Sequence, residues 1–168
     1  MCAILSSPRD KSSGGGIVPA MGPNISLRRA AANDAVETAV VFSAALKSMR
    51  FFPKLHSDEE DADFVADFID SDETWIAVEA GRIRGVACIR GEWLDHLYVS
   101  PAFHNRGAGS SLLAKVKEER PAGFRLWTFQ ANAGARRFYE RHGCKAVEFT
   151  DGRRNEEKLP DVLYVWNP

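Results

Sequence analysis

The run Leu94-Asp95-His96-Leu97-Tyr98-Val99-Ser100-Pro101-Ala102-Phe103-His104-Asn105-Arg106-Gly107-Ala108-Gly109-Ser110 passes from alternating residues through a proline-marked turn into a glycine-rich helix start. That order makes an anion cradle. Gly107 and Gly109 free the backbone and leave room for close approach, while the first N–H groups of the next helix lack acceptors. The helix dipole and Arg106 add positive potential, so the turn suits a pyrophosphate. A P-loop is excluded because no Lys-Ser/Thr follows either glycine at the required spacing. A dinucleotide GxGxxG turn is excluded because Leu112 stands where its third glycine belongs.

A second constellation follows the strand-like Phe124–Phe129. Asn132 is a good N-cap, Ala135, Phe138, Tyr139 and His142 repeat at helical spacing, and Gly143 stands where a helix ends in a left-handed residue. Tyr139 comes two turns after Asn132 and shares its face, so both can address one ligand.

The segment His104–Gly109 resembles the acyl-CoA signature [Q/R]xxGx[G/A] of the GNAT N-acetyltransferase superfamily, with His104 in place of the usual Gln or Arg. Asn132-x-x-Ala135-x-x-Phe138-Tyr139-x-x-x-Gly143 resembles the second motif of that superfamily, with Cys144 where a Phe is usual. The resemblance implies acetyl-CoA as the acyl donor. It implies that the pantetheine arm pairs with backbone near Leu97, Tyr98 and Val99. It also implies that His104, Asn105, Arg106, Gly107, Ala108, Gly109 and Ser110 cradle the phosphates, and that Asn132 and Tyr139 face the cofactor. Tyr139 is then the hydrogen-bond donor or acid for the leaving sulfur, whose conjugate acid has a pKa of about 8.5 against about 10 for tyrosine. Such a bond strengthens as charge develops and needs no matched pKa.

An alkyl ammonium must lose a proton before it attacks a thioester, so a base or a water chain is required. Several GNAT enzymes carry a carboxylate at the position that Asp95 occupies, which makes Asp95 the preferred base and His96 the second. Strand alternation puts Asp95, Leu97 and Val99 on one face and Leu94, His96 and Tyr98 on the other, so both candidates face the thioester only if a bulge intervenes. In this superfamily the acceptor side is shaped by the loops here containing Phe51, Phe52, Leu55 and His56, and Glu156, Glu157 and Asp161. For these residues, and for the acidic run Asp58–Asp63, structural roles in core and helix start take precedence.

These residues need positioning elements. Ile25–Arg28 alternates as a strand, and Ala30 to Met49 is a helix whose apolar stripe is Val36, Val40, Val41, Ala44 and Ala45. Ser57 and Glu60 form a capping box for a helix that buries Phe64, Val65, Phe68 and Ile69. Strands at Thr74–Glu79, Ile83–Gly91 and Leu94–Val99 precede a helix from Gly109 to Glu119 packing through Leu112, Leu113 and Val116. Strand Phe124–Phe129, helix Ala133–His142 and strands Cys144–Phe149 and Val162–Trp166 close the chain. The order β-α-α-β-β-β-α-β-α-β-β is that of an α/β (α+β) GNAT fold over residues 24–168. It implies a mixed, mostly antiparallel sheet flanked by helices, with the fourth and fifth strands splayed.

Composition narrows the function classes. A chain of 168 residues that is 45% hydrophobic, with net charge −1, suits one domain without general affinity for nucleic acid or anionic membranes. Three cysteines, Cys2, Cys88 and Cys144, make no disulfide framework and favour a reducing cytoplasm. His and Cys spacings predict no metal. Residues 1–23, rich in Ser, Gly and Pro, read as a disordered arm without a signal or membrane helix. The expected activity is direct acetyl transfer from acetyl-CoA to a primary amine of a small molecule. The alternatives are a protein amine as acceptor or an acetyl-CoA-sensing module without turnover; a homodimer is compatible with the superfamily.

Overall fold

A computed structural model describes residues 24–168. The arm expected at residues 1–23 lies outside the described residues. Seven strands form one sheet in the order β1-β2-β3-β4-β5-β7-β6. The strands are β1 Ser26–Arg29, β2 Glu73–Glu79, β3 Arg82–Arg90, β4 Trp93–Val99, β5 Phe124–Phe129, β6 Lys145–Phe149 and β7 Asp161–Trp166. The helices are α1 Ala35–Ser48, α2 Asp58–Ser71, α3 Ala108–Glu119 and α4 Ala133–Arg141. The element order is the one the sequence implies, with all strand pairs antiparallel except β4 with β5.

Alternation along the strands divides the core. On one face α3 and α4 pack through Leu112, Leu113, Val116, Phe138 and Tyr139 against Leu97, Val99 and Leu126. On the other, α1 and α2 pack through Val41, Phe42, Val65 and Phe68 against Ile76, Val86 and Tyr98. The capping box forms as its spacing predicts: Glu60 N–H donates to Ser57 Oγ at 3.2 Å and Ser57 N–H to Glu60 Oε2 at 2.7 Å.

Three expectations are corrected. Val36 and Val40, assigned to the buried stripe of α1, are 80% and 65% exposed. The buried side is instead carried by Thr38, Ala39, Val41, Phe42, Ser43 and Ala45, because two small polar residues fit against the neighbouring elements where hydrophobicity alone points elsewhere. Phe64 is 44% exposed rather than buried, since its ring lies over a cavity. Simple alternation in β4 also fails: Cys88 pairs with His96 but Ile89 pairs with Leu94, so Asp95 is the extra residue of a bulge. Leu94 consequently joins Leu97 and Val99 in the α3/α4 core, while His96 keeps company with Tyr98.

Candidate active site

Strands β4 and β5 are joined at one end and apart at the other. Their registered pair is Trp93 with Arg125, and Arg125 N–H donates to Glu92 O at 2.9 Å. Toward Val99 the strands diverge, as the fold class implies. Ser100 N–H donates to Arg84 O on β3 at 2.8 Å, so alternation turns the backbone groups of Val99 and Leu97 toward the gap.

The glycine-rich turn closes over this end. His104 Nε2 lies 3.0 Å from Val99 O; a carbonyl only accepts, so Nε2 carries the hydrogen and donates. Burial pushes the His104 pKa down, partly opposed by that bond. Asn105 adopts φ +61° and Gly107 φ +96°, two left-handed residues that turn the chain into α3. Gly107 is the N-cap of α3 and no side chain caps the helix. The leading N–H groups of α3 therefore remain open to an anion. Arg106 lies over the Phe103 ring at 5.0 Å from its centroid, beside the turn.

Asn132 caps α4 by accepting from Ala135 N–H at 3.0 Å, and its Nδ2 donates to Met49 Sδ at 3.6 Å, tying the start of α4 to the end of α1. Tyr139 is wholly buried on the same face of α4, with Phe138 and Tyr164 beside its ring. Tyr139 belongs to the α3/α4 side of the sheet, and His96 lines the α1/α2 side.

A cavity of about 800 Å³ opens on the α1/α2 side. Its floor includes His96 and Tyr98 of β4, and its walls include Phe42, Phe52, Phe64 and Asp61. His96 is 7% exposed and touches Phe68 and Phe64, with ring centroids 5.0 and 5.2 Å away. Asp95 does not line this cavity. Its Oδ2 lies 3.4 Å from Arg90 Nε, and Arg90 also donates to Asp72 Oδ2 at 2.8 Å. Burial raises the Asp95 pKa, opposed by Arg90 and reinforced by Asp72.

The other acceptor-side residues divide. Leu55, His56, Glu156 and Glu157 line the cavity, and His56 Nε2 lies 3.3 Å from Glu156 Oε1, joining the two loops. Phe51 and Phe52 both pack on Phe129, at 5.8 and 5.5 Å between centroids, and Phe52 also reaches the cavity. Asp161 is a loop brace, accepting from Thr150 Oγ1 and from Asn155 Nδ2. Two features escaped sequence reading: the bulge at Asp95, which has no local signal, and the burial of Asp61 within an otherwise exposed acidic run.

Burial raises Cys88 and Cys144 to about 11, which keeps both as thiols at neutral pH. Among the described residues no group of three or more His, Cys, Asp or Glu gathers to hold a metal. No helix among them is long and apolar enough to cross a membrane.

Comparison with known proteins agrees with this architecture. Residues 70–145 match the acetyltransferase (GNAT) domain. The matched segment runs from the end of α2 to the start of β6 and includes the glycine-rich turn and α4. Over 95 residues it is 28% identical to the peptidyl-lysine N-acetyltransferase YiaC of Escherichia coli strain K12, covering 56% of this chain and 63% of that protein. The fold is similar to that of apo YjaB from Escherichia coli, with a TM-score of 0.71 and 20% identity over 84% of this chain and 97% of the other. It is also similar to PaiA N-acetyltransferase from Thermoplasma acidophilum in complex with coenzyme A, with a TM-score of 0.67 and 18% identity over 86% and 99%.

Proposed function

We propose that this protein is an acetyl-CoA-dependent N-acetyltransferase acting on the primary amine of a small molecule. The observation that carries the reading is the parting of β4 and β5 beside an uncapped α3 N terminus, with a side-chain-lined cavity on the α1/α2 side of β4. These residues fit acetyl-CoA: open N–H groups and a left-handed glycine for the pyrophosphate, and strand edge groups of Leu97 and Val99 for the pantetheine amides. Bound there, the donor supplies an activated acyl thioester.

The chain's own residues do the rest. His96, at the cavity floor, is placed to take the proton of the incoming ammonium, directly or through water, and an imidazole is suited to that near neutral pH. We favour it over Asp95, the base expected from the sequence, because Asp95 is engaged with Arg90. As the amine nitrogen bonds to the acyl carbon and the carbon–sulfur bond breaks, Tyr139 is the donor to the departing sulfur. Phe42, Phe64 and Phe68 exclude water around His96. The buried thiols are compatible with a cytoplasmic setting.

A protein lysine is the second reading, favoured by the YiaC relationship. A cavity of about 800 Å³ favours a small molecule, since such volumes match sites that enclose most of a ligand's surface. Thermal unfolding with acetyl-CoA, ATP and NAD added separately tests the reading without an assumed acceptor. At about 100 times the dissociation constant, a native-state ligand adds about 2.7 kcal/mol, a rise of roughly 5–10 °C in a domain of this size. A rise with acetyl-CoA alone is expected; no rise with it removes the basis for the transferase assignment.

A further inference from the structure

Among the acidic side chains lining the cavity, Asp61 is the one that the fold buries. It is 9% exposed, whereas Asp58, Glu60, Asp63 and Asp67 of the same helix are exposed. Ser43 Oγ of α1 donates to Asp61 Oδ2 at 3.2 Å. Among the described residues no ion pair reaches this carboxylate. Of the cationic side chains lining the cavity, Lys47 Nζ donates to Asp58 Oδ2 at 2.7 Å and His56 faces Glu156, while Arg50 and Lys54 also line it without an ion pair to Asp61.

The α2 N terminus favours negative charge, but exposed Asp58, Glu59 and Glu60 already meet that field from the surface. A carboxylate turned into a partly apolar cavity loses hydration, and a positive partner offsets that loss. The walls around Asp61 suit a hydrocarbon chain. Phe42 adjoins Ser43 in sequence, and Phe64, one turn beyond Asp61, reaches His96 at the floor. Aromatic faces accept both methylene groups and cations.

We propose that the cavity selects a diamine: an acceptor whose reacting amine sits near His96 and whose second ammonium is held by Asp61, with a short apolar spacer along Phe42 and Phe64. This substrate class rests on the transferase reading above. One end of the acceptor loses its proton and is acylated; the other stays charged and fixes the orientation. Asp61 is thus a specificity-determining residue for the far end of the substrate.

Calorimetric titration with 1,5-diaminopentane, pentylamine and 5-aminopentanoate tests this by binding alone. Turnover is followed separately as thiol release in the presence of acetyl-CoA. The diamine should bind about 10- to 100-fold more tightly than pentylamine, the range of a charge-assisted hydrogen bond, and 5-aminopentanoate should bind most weakly. Asp61→Asn keeps an acceptor for Ser43 Oγ and should erase the diamine's advantage while leaving pentylamine binding unchanged. Because the three ligands are also compared on the wild-type chain, the test stands even if the variant folds poorly. Equal binding of the three, or a diamine preference that survives Asp61→Asn, overturns the proposal. Absence of stabilisation by acetyl-CoA strikes the transferase reading instead and leaves the ligand comparison intact.

Discussion

His104 Nε2 donates to the carbonyl oxygen of Val99 across 3.0 Å, so the first residue of the glycine-rich turn is fastened to the last residue of β4. Burial holds the His104 pKa below the ordinary histidine value, and the bond to Val99 opposes this only in part. The unfolded chain therefore binds a proton more readily as pH falls through about 6.5, where ordinary histidine titrates. Stability from the neutral ring is complete above that value and is lost below it, down to the lowered folded pKa. His104→Gln, which keeps a donor but does not titrate, should make the unfolding midpoint decline less steeply between about pH 7 and pH 5. Parallel declines in the two proteins would exclude His104 as a source of acid sensitivity.

Gly107 has φ +96°, and a Cβ added there would meet nothing closer than Ile25 Cδ1 at 3.8 Å. Space is available, so the penalty for Gly107→Ala is conformational. A left-handed L-residue costs roughly 1–2 kcal/mol, or relaxes toward right-handed backbone and turns the leading N–H groups of α3 away. Loss of stability by that amount, or weaker acetyl-CoA binding in titration calorimetry, is expected. A variant matching the parent in both would show that the turn does not require this conformation.

The elements were legible wherever local chemistry set them. Ser57 with Glu60 announced the start of α2, and Asn132 and Gly143 bracketed α4. Tertiary placement was less legible. Val36 and Val40 have the apolar character of a core stripe, yet the packed side of α1 is the one presenting Thr38, Phe42 and Ser43. The bulge that skips Asp95 depends on its register with Cys88 and Ile89, which the residue types of β4 do not encode. Asp61 resembled its exposed neighbours until Ser43, eighteen positions earlier, was seen against it.

Tyr139 is wholly buried, and the proposed mechanism makes its phenol the donor to the departing sulfur. Tyr139→Phe preserves the ring and its packing against Phe138 and Tyr164 while deleting the donor. Turnover should fall by about 100-fold, the scale of one acid or oxyanion-type donor, with acetyl-CoA affinity nearly unchanged. Thiol release and calorimetry measure the two separately. A loss of affinity at unchanged turnover would make Tyr139 a binding residue rather than a donor to the reaction.

His96 and Asp95 are neighbours in sequence but face different surroundings, the cavity for His96 and Arg90 for Asp95. If His96 accepts the amine proton, His96→Gln should lower kcat by about 100-fold or more and abolish the acidic limb of the pH–rate profile. Asp95→Asn should leave that limb in place, with turnover reduced much less, because it removes an ion-paired carboxylate beside the bulge. The reverse pattern, an acidic limb lost with Asp95 and kept without His96, would mean that the bulge delivers the carboxylate to the reacting amine once acetyl-CoA is bound. Preservation of the limb in both variants would leave a water chain to carry the proton, with His96 lining the cavity without accepting it.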